Sequence, residues 1–172
     1  MDILQMLKDL FGNSMIINTL VAWFIAQALK IVFHMFTEGE FNWKRMFGAG
    51  GMPSSHTSTT VALVCSCGWL YGLDSPYFAI AVTLAVIVMH DAVGVRRETD
   101  KQSRTIKQIA DIIDDISEED VPDIKTDKLK DFVGHTPIQV AFGALIGIAV
   151  VALHMLILKI PYGSGAFPIV FQ

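Results

Sequence analysis

Three short runs carry residues able to do chemistry. They are Gly50-Gly51-Met52-Pro53-Ser54-Ser55-His56, Met89-His90-Asp91-Ala92-Val93-Gly94-Val95-Arg96-Arg97 and Gly134-His135-Thr136-Pro137-Ile138-Gln139. Imidazole titrates near neutrality, so His56 and His135 can serve as a neutral nucleophile or as a protonated acid. In the first run, glycines let a backbone approach a ligand, Pro53 can start a helix, and free N–H groups at a helix start bind anions. Ser54, Ser55 and Thr57 add hydroxyl donors. A plain turn and cap accounts for the glycine, proline and serines, yet it has no need of His56 beside them.

The second run ends an apolar stretch. A carboxylate there, Asp91, pairs with a cation or orients a histidine. Arg96 and Arg97 present planar forks that suit phosphate oxygens, and they equally suit anchoring of a span end. His90 is adjacent but on another face and is given no role. In the third run His135 and Gln139 are four apart on one helical face, so the amide can bond one imidazole nitrogen and fix the tautomer. Upstream, Gln27, Lys30 and His34 form one helical stripe leading toward the same end. A lysine at membrane depth costs about 3 kcal/mol unless it faces a polar interior or snorkels out. The stripe favours an inward Lys30 near a bound anion. Lys44 and Arg45 are further cations in the loop that follows.

The elements that must position these residues are membrane spans. Of 172 residues, 52% are hydrophobic and 17% charged, and the mean hydropathy of +0.49 excludes an ordinary water-soluble domain. Ser14–Phe36, Thr57–Leu73, Ser75–Val95 and Ile138–Leu158 are long apolar stretches with at most one charge each. They predict an all-α polytopic bundle of about four spans. Met1–Gly12 reads as an amphipathic interfacial or re-entrant helix without signal-peptide features. Residues 96–134 read as a water-exposed insert, with an amphipathic helix over Lys101–Ile116 set by Ile106, Ile109, Ile112, Ile113 and Ile116. The expected organisation is a single membrane domain over 1–160, and Gly163-Ser164-Gly165 with the residues to Gln172 reads as a flexible linker. The small residues Ala141, Gly143, Ala144, Gly147 and Ala149 suit close helix packing and admit a homodimer.

This topology places all three runs at one membrane face. That face carries Lys44, Arg45, Arg96, Arg97, Lys101, Arg104, Lys107, Lys125, Lys128 and Lys130, against Lys8 and Lys159 opposite. The positive-inside rule makes it the cytoplasmic face of a cell-membrane protein. The net charge of −4 offers no broad basic surface for nucleic acid. Cys65 and Cys67, two apart on a helix, point to different faces and predict neither a disulfide nor a zinc site.

Pro53-Ser54-Ser55-His56 resembles the second signature, PSGH, of the type 2 phosphatidic acid phosphatase superfamily, which includes acid phosphatases and vanadium haloperoxidases. Together, GGMPSSH, MHDAVGVRRE and GHTPIQV resemble its divergent membrane branch. The resemblance implies cofactor-free and metal-free hydrolysis of a lipid phosphomonoester or diphosphate through a phosphohistidine. It assigns His56 as the acid on the leaving oxygen, Ser54 as the adjoining serine and His135 as the nucleophile. Lys30, Lys44, Arg45, Ser55, Arg96 and Arg97 are left to hold phosphoryl oxygens. The sequence departs from the superfamily pattern at Leu129, where an arginine precedes the nucleophile, and at Gln139, where an orienting aspartate follows it. Asp91 is the available carboxylate. The alternative, favoured by Gln139, is a protein that binds or transports a lipid phosphate in the same pocket without cleaving it.

Overall fold

The computed structural model describes residues 2–39, 41, 51–116 and 134–165. Among them are six α-helices and no strand: α1 (Ile3–Phe11), α2 (Ser14–Glu38), α3 (Ser55–Tyr71), α4 (Pro76–Val93), α5 (Val95–Ile116) and α6 (Pro137–Ile157). Lys44, Arg45 and the acidic stretch 118–120 lie outside the described residues.

Local chemistry sets the boundaries. Asn13 ends the break after α1 and caps α2, its Oδ1 accepting from the Met15 and Ile16 N–H groups at 3.0 and 3.3 Å. Ser54 caps α3 and Ser75 caps α4, with Pro76 at the first helical position. Pro53, expected to start α3, instead lies just before the cap. At the other end of α2, Gly39 takes a left-handed conformation at φ 74°, which a side chain would strain.

Among the described residues, three stretches are long and apolar enough to cross a membrane: α2, α4 running on into α5, and α6. The 17 residues of α3 extend about 25 Å. This helix is the centre of the bundle, packed against α2, α4 and α6. Burial is inverted relative to a water-soluble protein. The buried core is built largely of small side chains such as Ala22, Ala26, Ala62, Ala81 and Ala85, whereas Phe24, Ile80, Leu145 and Leu153 face outward. In lipid, apolar surface gains nothing by turning inward, and close backbone approach carries the packing instead.

Gly143 and Gly147 make that approach. A Cβ on Gly143 would lie 2.4 Å from the Ser54 carbonyl oxygen, and one on Gly147 would lie 2.6 Å from that of Ser58. Gly143 and Gly147 of the last span are therefore spent within the chain, against α3, while Ala141 and Ala149 are exposed. At the far end Asn18 Nδ2 donates to Ser66 Oγ at 2.9 Å while Asn18 Oδ1 bonds His154 Nδ1, joining α2, α3 and α6. The last described residues fold back over this end. Gly163 and Gly165 N–H groups donate to the Trp69 and Leu70 carbonyls, both at 2.8 Å, which ties 163–165 to α3.

The leader forms α1 as expected, with Ile3, Leu4, Leu10 and Phe11 all exposed. The amphipathic insert helix differs from expectation at its start. It begins at Val95, directly after Gly94, so Arg96 and Arg97 sit on its first turn. Only one residue is needed for the turn because the Gly94 N–H still bonds the His90 carbonyl at 2.8 Å.

Candidate functional site

The end of α2, the starts of α3 and α6, and the α4–α5 junction meet at one end of the bundle. Main-chain bonds tie the three sequence runs together there. The Ser54 N–H donates to the Gln139 carbonyl at 3.0 Å, and the His135 N–H donates to the Ala92 carbonyl at 3.0 Å. Gly134 is pressed onto the α5 backbone. A Cβ there would come within 2.4 Å of Arg97 Cα, so only glycine fits. The glycine before His135 thus serves packing between two of the runs, a role its sequence context did not reveal.

His56 and His135 face each other with ring centroids 6.2 Å apart and planes inclined at 60°. His135 is 1% exposed, and His56 is half-buried. Lys30 is 5% exposed, so it does not snorkel. Its Nζ donates to Ser55 Oγ at 3.2 Å, at the first turn of α3. Burial pushes the His56 imidazole below its ordinary pKa, Arg96 and Lys30 reinforce this, and Asp91 opposes it. The stripe on α2 is only partly used. Gln27 is buried beside Lys30, but His34 turns to Glu38 at 3.4 Å.

Gln139 Oε1 accepts two bonds, from the Thr136 N–H at 3.0 Å and from His135 Nδ1 at 3.2 Å. An amide oxygen can be confused with its nitrogen, but a backbone N–H donates only, so Thr136 identifies the acceptor end. His135 must then carry its proton on Nδ1. In the neutral ring Nε2 then carries the lone pair, the form a nucleophilic imidazole requires. Burial pushes the His135 imidazole below its ordinary pKa. The Gln139 bond opposes this, while Lys30, His56 and Arg96 reinforce it.

The remaining expected residues divide. Asp91 binds Arg96, Oδ2 to Nε 2.6 Å, with both side chains a little over a third exposed. Arg97 is exposed and touches the third run through its backbone. Ser54 is fully buried, and its Oγ accepts from the Thr57 N–H at 3.3 Å and the Thr57 hydroxyl at 3.0 Å. Its hydroxyl oxygen is thus engaged in the cap. The arrangement combines a buried imidazole, a second imidazole, and two cations that act electrostatically on both. No group of three or more His, Cys, Asp or Glu residues with metal-binding geometry occurs among the described residues.

Residues 11–150 match the family described as "Divergent PAP2 family". The chain belongs to this family. The match spans all three runs and extends into α6. The chain is also 37% identical over 146 residues to the "Uncharacterized membrane protein YuiD" of Bacillus subtilis (strain 168), covering 81% of this chain and 92% of that protein. No solved structure matches it. Membership in the Divergent PAP2 family, a membrane-protein relative and three span-length helices make the protein an integral membrane protein with an all-α fold.

Proposed function

We propose that the protein is a metal-independent lipid phosphatase, acting on a phosphatidate-like or polyprenyl phosphate at the cytoplasmic side of the cell membrane. The observation that carries this reading is His135, buried with the lone pair of its neutral ring on Nε2 and set 6.2 Å, centroid to centroid, from His56. One tetrahedral oxyanion between the rings can touch both. Lys30 and Arg96, with Lys44, Arg45, Ser55 and Arg97 as further candidates, neutralise its oxygens as charge develops.

His135 Nε2 attacks phosphorus and forms a P–N bond as the P–O bond to the lipid breaks. The proton on His56 passes to the leaving oxygen, releasing a neutral alcohol, or a lipid monophosphate when the substrate is a diphosphate. Water then attacks the phosphohistidine, gives a proton back to His56, and releases inorganic phosphate with His135 restored. Gln139 holds the His135 ring, taking the positioning part of an aspartate's task. Asp91 positions Arg96.

One observation favours a second reading. Gln139 is neutral, so it orients His135 without stabilising the positive charge the ring gains on phosphorylation. In that reading the same pocket binds or transports the lipid phosphate unchanged. Phosphate release from purified protein with a long-chain alkyl phosphate decides between them. Release that is lost in His135→Ala supports the phosphatase. Saturable binding with no release supports the binding protein.

A further inference from the structure

On the lipid-facing side of α3, α2 and α4 do not pack against each other among the described residues. The gap between them is a groove of about 290 Å³, lined by Ile16 and Thr19 of α2, Thr59, Thr60 and Leu63 of α3, and Leu84 of α4. We propose that this groove holds the hydrocarbon chain of the bound lipid phosphate, so that the lipid departs from the His56 side of the site. The proposal rests on the lipid-phosphate reading above and assigns its polarity.

Three observations argue it. His56, Thr59, Thr60 and Leu63 are spaced i, i+3, i+4, i+7 and share one stripe of α3, so the groove begins about one helical turn from His56 on that stripe and extends toward the start of α2. Ser54, Thr57 and Ser58 meet Gly143 and Gly147 of α6 around the other side of α3. The groove therefore lies on the same stripe of α3 as the imidazole assigned to the leaving oxygen, and the α6 helix that follows His135 does not line it.

The groove is also apolar despite its threonines and Asn13, whose Oδ1 is taken up by the α2 cap. The Thr59 hydroxyl donates to the Ser55 carbonyl at 2.8 Å, that of Thr60 to the His56 carbonyl at 3.0 Å, and that of Thr19 to the Ile16 carbonyl at 2.8 Å. Each hydroxyl is turned back onto its own helix, leaving hydrocarbon toward the gap. No charged side chain lines it. Such a channel accepts methylene groups and rejects a polar head group.

The test is photo-crosslinking of the purified full-length protein with a long-chain alkyl phosphate bearing a diazirine at its chain end. The expected adducts map to Ile16, Leu63 or Leu84 and are competed by unlabelled alkyl phosphate but not by the alcohol of the same length. Leu84→Trp, which fills the groove, should weaken that competition about tenfold or more. Equal competition by the alcohol would mark ordinary membrane lipid and overturn the proposal, as would adducts on Leu145 or Leu153 of α6 or no competed adduct. Phosphate release is read on the same sample. Release without groove adducts overturns the groove alone, and groove adducts without release overturn hydrolysis alone.

Discussion

Gln139 Oε1 lies 3.2 Å from His135 Nδ1 and is fixed as an acceptor by the Thr136 N–H. This pair sets the pH dependence. The His135 imidazole sits below its ordinary value of 6.5, and only its neutral form attacks. The acid limb of the rate profile is therefore expected below 6.5, with activity falling as pH drops through the folded-state value. Gln139→Glu keeps the shape and adds a negative charge, which raises that value. The acid limb should move to higher pH, and an unmoved or lowered limb in kcat/KM would contradict the assigned contact.

Lys30 and Arg96 are given the same task in different settings, and their losses should differ. Lys30 is buried against Ser55, so Lys30→Met should weaken inhibition by inorganic phosphate with little dependence on salt. Arg96 is more than a third exposed, so the effect of Arg96→Ala should shrink as salt rises. Its bond to Asp91 is worth only about 0.5 kcal/mol at such exposure. Asp91→Asn should therefore leave the melting temperature nearly unchanged while altering phosphate affinity. Inhibition constants at two ionic strengths check all three.

Gly143 and Gly134 position the histidines through contact alone. Gly143→Ala places a methyl against the Ser54 carbonyl and should push the start of α6 away from α3. The expected cost is about 1–3 kcal/mol, as for other overpacked cores. Gly134→Ala meets the Arg97 backbone and should act similarly. Thermal unfolding in detergent should show both, and Gly163→Ala at an open position, whose cost is confined to backbone strain at φ 71°, serves as comparison.

Orientation is testable on α5. A cysteine at exposed Gln108, in a background without Cys65 and Cys67, should resist an impermeant thiol reagent in intact cells and react after lysis. Labelling in intact cells would place the site on the outer face.

Much of this arrangement was legible because membrane spans obey simple constraints. Length, apolarity and turn residues indicated α2, α4 and α6 and the meeting of the three runs at one end. Lys30 could be assigned inward because charge in a span is costly, and Gln139 because its spacing from His135 is one helical turn. What the sequence did not disclose are contacts between distant backbones. Nothing local distinguishes Gly134 as a packing glycine from one that merely turns the chain. Likewise the sequence does not disclose that Ser54 Oγ accepts from both the Thr57 N–H and the Thr57 hydroxyl. The start of α5 at Val95 is not legible because the insert's apolar period begins only at Ile106, whereas the Gly94 N–H remains bonded to His90 and a helix resumes at once. The small-residue face of α6 suits a partner chain and α3 equally well by composition. Only the packing shows that Gly143 and Gly147 are spent on α3.

The central claim is that His135 becomes covalently phosphorylated. Purified protein incubated with a phosphate-labelled alkyl phosphate, quenched in base and mapped by mass spectrometry, should carry an acid-labile phosphoryl group on His135. The label should be absent in His135→Ala and should accumulate or form slowly in His56→Ala, whose acid is missing. Phosphate release by the wild type with no label on His135, or with label on another residue, would contradict the account.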